Sequence, residues 1–115
     1  MTIGYESELT RRFFDDFDLM KKKIGIERAK IIKKRLDGLK AAKTFYIYLT
    51  TGLGKPHPLY ENLKGCYGIS ITDHVRLIVK PVSDSLDGEA LKQCDSLIIK
   101  GVMDYHGKKN EWIIP

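Results

Sequence analysis

Three side chains stand out for the chemistry they can do. His57 lies between two prolines in Lys55-Pro56-His57-Pro58, Arg76 sits in an apolar alternating run, and His106 follows Tyr105 late in the chain. Imidazole titrates near neutral pH, so two histidines can act as a general base and a general acid. A guanidinium stays charged and presents a planar fork of donors, which suits a phosphate oxygen on which charge is building. Lys55 and Lys64, on the loops leading into that region, and Lys80 beyond Arg76 add cations that could touch phosphates. The third histidine, His74, falls in a tight turn and reads as a turn residue. Neither Cys66 nor Cys94 has CxxC spacing or a nearby Cys/His cluster, so no metal and no cofactor is expected. Two reduced thiols are the simplest reading.

The formal net charge is +5, and its distribution is more telling than its size. From Lys21 to Lys43 ten basic residues (Lys21, Lys22, Lys23, Arg28, Lys30, Lys33, Lys34, Arg35, Lys40 and Lys43) face only Glu27 and Asp37. The preceding segment, Glu6 to Asp18, is net acidic. Such a block suits a polyanion, nucleic acid above all, with Lys30, Lys33 and Lys34 as candidate RNA contacts. A solvated helix face or a surface for an acidic protein would look the same by charge alone. No apolar run approaches the ~20 residues of a membrane-spanning helix. Thr2, Gly4, Glu6 and Glu8 do not resemble a secretory signal, so a cytoplasmic location is the expectation. A chain of 115 residues suits a single domain, 1–115.

These side chains must be positioned by elements that periodicity predicts. Residues 2–6 alternate weakly, as a short edge strand would. From Ser7, a plausible cap, apolar residues recur at spacings of three and four (Leu9, Phe13, Phe17, Met20), which predicts a helix as far as a turn at Gly25. A second helix is expected from Ile26 to about Phe45, with Ile26, Ala29, Ile32, Leu36, Leu39 and Ala42 as its apolar stripe. Residues 50–58 read as a Gly/Pro loop. The period then becomes two: Tyr67, Ile69 and Ile71 in one strand, and Val75, Leu77 and Val79 in its antiparallel partner. Residues 83–96 form a polar connection with a helical turn near Glu89–Gln93, and Leu97 to Met103 a third strand. Trp112, Ile113 and Ile114 should anchor the tail on the body. Helices followed by an antiparallel sheet is an α+β pattern, here an N-terminal helical hairpin packed on a small sheet.

The segment GLGKPHPLYENLKGCYGISITDHVRLIVKPV, from Gly52 to Val82, resembles the diagnostic stretch of YoeB-type toxins. The matching positions are Gly52, Gly54, Lys55, Pro56, Pro58, Leu59, Asn62, Leu63, Gly65, Ile71, Thr72, Asp73, Arg76 and Leu77. The Leu63-Lys64-Gly65 step and the Asp104-Tyr105-His106 ending are similar to HigB toxins of the same RelE/ParE superfamily. The chain departs from the pattern where a glutamate usual between the two prolines is His57. Two arginines usual in the next strand are Ile69 and Ser70, and the 83–96 connection and the tail are long.

The resemblance implies a RelE-like domain, its helical hairpin packed on a curved antiparallel sheet. It implies the toxin of a toxin–antitoxin pair: a metal-independent endoribonuclease that cuts messenger RNA, on the ribosome in several such toxins. Its partners would be messenger RNA, the ribosome and a neighbouring antitoxin with a helix-turn-helix DNA-binding domain. In that setting His57 and His106 are candidates for base and acid and Arg76 for the phosphate clamp. Tyr105 is a lesser candidate, carried by the Tyr-His pair of HigB-like toxins. If Val75, Leu77 and Val79 face inward, Arg76 and Lys80 face outward. If Leu97, Ile99 and Met103 face inward, Lys100, Asp104 and His106 share that outward face, and Tyr105 turns into the core unless a bulge reverses the phase. By the same logic Tyr67 belongs to the core. Two rival readings stay open: a ParE-like toxin that inhibits gyrase by contact, and a non-catalytic nucleic-acid-binding module driven by the basic helix.

Overall fold

The computed structural model describes residues 1–106 and 109–115. In chain order the elements are β1 (Thr2–Tyr5), α1 (Glu8–Asp15), α2 (Phe17–Ile24), α3 (Ile26–Ala41), α4 (Phe45–Thr51), β2 (His57–Pro58), β3 (Tyr67–Thr72), β4 (Val75–Pro81), α5 (Gly88–Leu91), β5 (Ser96–His106) and β6 (Lys109–Ile114). A 3-10 turn at Glu61–Leu63 lies between β2 and β3. The architecture is α+β with a mostly antiparallel sheet.

Capping explains where the helices start and why they are shorter than periodicity predicts. Ser7 accepts from the Thr10 N–H and starts α1. Asp16 is extended (φ −120°, ψ 100°) and its carboxylate accepts from the Leu19 N–H, so it closes α1 and opens α2. Aspartate competes for backbone donors in this way, and the single helix expected from Ser7 is two. Likewise α3 stops at Ala41, and Thr44 caps a separate α4 by accepting from the Ile47 N–H. Gly25, at φ 90°, does make the turn between α2 and α3. The N-terminal layer therefore holds α1, α2 and α3, the last two joined by the Gly25 turn, with α4 following. Ala29, Ile32, Leu36 and Leu39 of the α3 stripe are buried, but Ile26 at its start is exposed, as are Leu9 and Phe17.

The sheet runs β1-β5-β4-β3-β2, with β6 also on β5. β5 is long enough to serve three neighbours. Along one side it pairs with β4; along the other it holds β1, parallel, at Ser96–Ile99, and then β6, antiparallel, from Val102 to His106. The tail is thus a sixth strand. Ile114 is fully buried while Trp112 stays 42% exposed, so Ile114 is the anchor, helped by the Thr10 hydroxyl donating to the Pro115 carbonyl. The helices cover one face of the sheet, closing a core that includes Phe45, Tyr48, Tyr67, Ile69, Val75, Leu77, Val79, Leu97 and Ile99. On the other face Cys66, Ile78 and Met103 form a small second cluster, against which Leu59, Leu63 and Tyr105 pack.

One irregularity decides what that second face displays. Opposite β4 the register steps from Val79↔Ile99 to Ile78↔Gly101, so Lys100 has no partner, and Gly101 takes φ 145°. Before this bulge Leu97 and Ile99 face the helices; after it Val102 does, and Met103 joins the opposite cluster. The expected phase, with Met103 inward and Tyr105 in the main core, is therefore reversed.

Candidate active site

Arg76 opposes Ser70 on β3 and Met103 on β5, so it stands on the face away from the helices. Its Nη1 donates to the Thr72 and Val75 carbonyls, both at 3.0 Å. These bonds hold the guanidinium at the β3–β4 turn. Nε is buried with no partner among the described residues. A buried unpaired N–H costs about 1–3 kcal/mol, a cost more often met at functional positions than in ordinary packing.

Tyr105 lies beside it, with the Arg76 guanidinium 6.0 Å from the ring centroid, at the outer limit of a cation–π contact. Burial raises the Tyr105 phenol above its usual range, opposed by the positive charge of Arg76. His106, three residues past Met103, turns to the other side of β5 at the strand end. There its ring meets that of His74, centroids 6.2 Å apart and nearly perpendicular. The bulge therefore brings Tyr105, not His106, to the same face as Arg76.

His57 is exposed on β2, opposite Gly68. A Cβ at Gly68 would sit 3.6 Å from both Cε1 and Nε2 of the imidazole, so the ring rests over the bare backbone of β3. Its Nδ1 is 3.3 Å from the Lys55 carbonyl. The Gly/Pro loop thus ends in a two-residue edge strand, a place where proline is tolerated.

Of the predicted cations, Lys55, Lys64 and Lys80 are exposed around this face, and Lys55 takes the left-handed conformation at φ 47°. Lys80 and Lys100 both lie near the Cys66 thiol, which burial nonetheless pushes up. Cys94 is also a free thiol, and its Sγ donates to the Val82 and Ser96 carbonyls. Lys30, Lys33 and Lys34 are exposed on α3 in the helical layer, Lys33 lying 5.9 Å from the centre of the Phe17 ring. They are not on the face that carries Arg76. In their place α3 sends two arginines to the outer edge of β3: Arg28 Nε donates to Thr72 Oγ1 at 3.3 Å and Arg35 Nε to the Ser70 carbonyl at 3.2 Å. By sequence alone both are only members of the basic block. Their spacing of seven, two helical turns along one side of the apolar stripe, was the available signal. Among the described residues, no group of three or more His, Cys, Asp or Glu is placed to hold a metal ion, and no helix is long and apolar enough to cross a membrane.

Against known proteins, no family model and no curated protein matches the sequence. Solved structures do. A chain of the YoeB–YefM complex from Staphylococcus aureus aligns with a TM-score of 0.54 at 21% identity, over 93% of this chain and 98% of that one. The YoeB/ParE toxin from Agrobacterium tumefaciens aligns at 0.55 and 19%, over 93% and 100%. The chain has the YoeB/ParE toxin fold. At such identity the likeness is one of architecture, and the YoeB/ParE fold says where a site could lie without saying which side chains act.

Proposed function

We propose that the chain is the toxin of a toxin–antitoxin pair and a metal-independent endoribonuclease that cuts messenger RNA, on the ribosome, in the cytoplasm. The observation that carries this reading is the pairing of Arg76 with Tyr105 on the face away from the helices, in a chain with the YoeB/ParE fold. RNA contains its own nucleophile. Attack of a 2′-hydroxyl on the adjacent phosphate needs a base at that oxygen, a cation where charge develops, and a proton for the departing 5′-oxygen.

In this reading His57 is the base. Its exposed ring over Gly68 leaves room for a ribose, and the flanking prolines restrict its backbone. Arg76 is the clamp, its position set by the Thr72 and Val75 carbonyls before substrate arrives. Tyr105, its ring beside the Arg76 guanidinium, takes the donor role that strand phase suggests for His106. His106, one residue on, becomes an outer contact at the strand end. Lys55, Lys64 and Lys80 steer and hold phosphates around the face. Lys30, Lys33 and Lys34, on the helical layer, contact the ribosome or a second stretch of RNA.

The partner is an antitoxin with a helix-turn-helix DNA-binding domain, and it covers the Arg76 face; a toxin of this fold has been captured in a YoeB–YefM complex. A ParE-like action on gyrase is the second reading, because one neighbour is named a YoeB/ParE toxin. Purified protein incubated with labelled messenger RNA and excess EDTA, with and without ribosomes, tests the proposal. Cleavage should proceed and fall ~10²-fold or more in Arg76→Ala, the usual effect of losing one preorganised donor at a developing charge. No cleavage in either setting, with gyrase supercoiling blocked instead, would move the chain to the second reading.

A further inference from the structure

Beside Arg76 a cleft of 540 Å³ opens between β3 and the loop after α4. Three cations line it: Arg35 from α3, Lys55 from the loop and Arg76 from β4. None of the three forms an ion pair among the described residues, although Asp73 lies at the same cleft. Three like charges against a single carboxylate repel one another, so they favour a further anion between them.

Arg35 is held there by its neighbours. Its Nε is fixed on the Ser70 carbonyl, and Ser70 N–H in turn donates to the Gly54 carbonyl at 2.7 Å. A Cβ at Gly54 would lie 2.8 Å from Arg35 Nε and 2.4 Å from Ile69 Cγ2, and Gly54 is at φ 72°. Only glycine lets the loop lie this close over the arginine. With Nε engaged, the terminal nitrogens of Arg35 make no hydrogen bond among the described residues, which leaves the end of the fork for a ligand. Ser70, meanwhile, has a neutral hydroxyl and brings no charge of its own to this part of β3.

We infer that Arg35 is a second phosphate-binding residue, gripping the RNA phosphodiester next to the one held by Arg76 and supplying from α3 the cation that β3 lacks at Ser70. The inference rests on the RNA-cleaving reading above. The competing role is structural: Arg35 could serve only to cap the open edge of β3.

Binding of a short single-stranded RNA, methylated at every 2′-oxygen so that it cannot be cut, separates these roles when measured by fluorescence anisotropy over a range of salt. Arg35→Gln should weaken binding about 10-fold and lower the slope of log affinity against log salt by about 0.7, the value for one phosphate contact on a single strand. Arg35→Lys should keep the slope and lose part of the affinity, since it retains the charge without the fork. An edge cap alone would lower the melting temperature of Arg35→Gln and leave the slope unchanged; that result overturns the inference while the RNA reading stands. If Arg35→Gln does not fold, Arg35→Lys decides, and wild-type affinity in it counts against a gripping fork. A wild-type protein that does not bind the RNA overturns the inference, while the RNA-cleaving reading is decided by the cleavage assay with and without ribosomes.

Discussion

The reversed phase of β5 makes a prediction that separates two adjacent residues. Tyr105→Phe removes one hydroxyl and keeps the ring that packs beside Arg76 and against the Cys66–Ile78–Met103 cluster. A hydrogen bond to a charged group is worth about 1.5–3 kcal/mol, so cleavage should slow by about 10- to 150-fold with little change in melting temperature. His106→Gln changes an exposed side chain on the other side of the strand end, beside His74, and should cleave at close to the wild-type rate. The assay is single-turnover cleavage of one labelled RNA by each variant, with circular dichroism melts as the control for folding. The opposite order, with His106→Gln crippled and Tyr105→Phe intact, would mean that the Lys100–Gly101 bulge does not set the face of the site. The role of acid would then return to His106.

Gly101→Ala should destabilise the fold by ~3 kcal/mol or more, because a Cβ there would lie 2.0 Å from the Ile114 carbonyl oxygen at a φ of 145°; an unchanged thermal melt would show that β6 does not dock there. Burial raises the phenols of Tyr48, Tyr67 and Tyr105 above their ordinary value near 10. Their folded forms favour the neutral phenol more than the unfolded chain does, so this contribution is full below about pH 10 and is lost as pH rises through the raised values. Urea midpoints should therefore fall above about pH 10, and a rise there would contradict the sign. Changing Lys30, Lys33 and Lys34 together to Glu should weaken ribosome co-sedimentation, most strongly at low salt. The intrinsic cleavage rate at saturating ribosomes should stay close to wild type in that variant, since these lysines are not on the Arg76 face; loss of binding and rate alike would tie α3's lysines to the site.

The parts of the fold legible in sequence were those set by strict alternation and by glycine. β3, β4 and the Asp73–His74 reversal follow from period two, and Gly25 marks the α2–α3 turn. The helix breaks were less visible, because Asp16 and Thr44 carry on the polar side of a helical period while acting as caps. The bulge was not visible at all. Ile98-Ile99-Lys100-Gly101-Val102-Met103 alternates poorly, and one unpaired residue in it reverses every side chain that follows. That single step explains why Arg76 was placed on the right face from sequence while His106 was not. Arg35 was hidden for another reason: its neighbours Ser70 and Gly54 come from distant segments, and charge counting cannot tell which member of a basic block points at a sheet edge.

The local strain in the chain has a location that fits this account. Lys55, Glu61 and His74 are its only non-glycine residues with positive φ among those described, at 47°, 58° and 65°. Each such residue costs of order 1–3 kcal/mol and persists only where surrounding contacts over-determine it. Lys55 lines the Arg35–Arg76 cleft, Glu61 starts the turn whose Leu63 packs on the second cluster, and His74 makes the reversal that carries the Thr72 and Val75 carbonyls to Arg76. The helical side of the sheet shows no comparable strain among the described residues. A scaffold that places strained Lys55, the unpaired Arg76 Nε and three cations against one carboxylate at the Arg35–Arg76 cleft is arranged to gain when an anion binds there. Ligand binding should accordingly raise the melting temperature, and polyanions should do so more than monovalent salts at equal ionic strength.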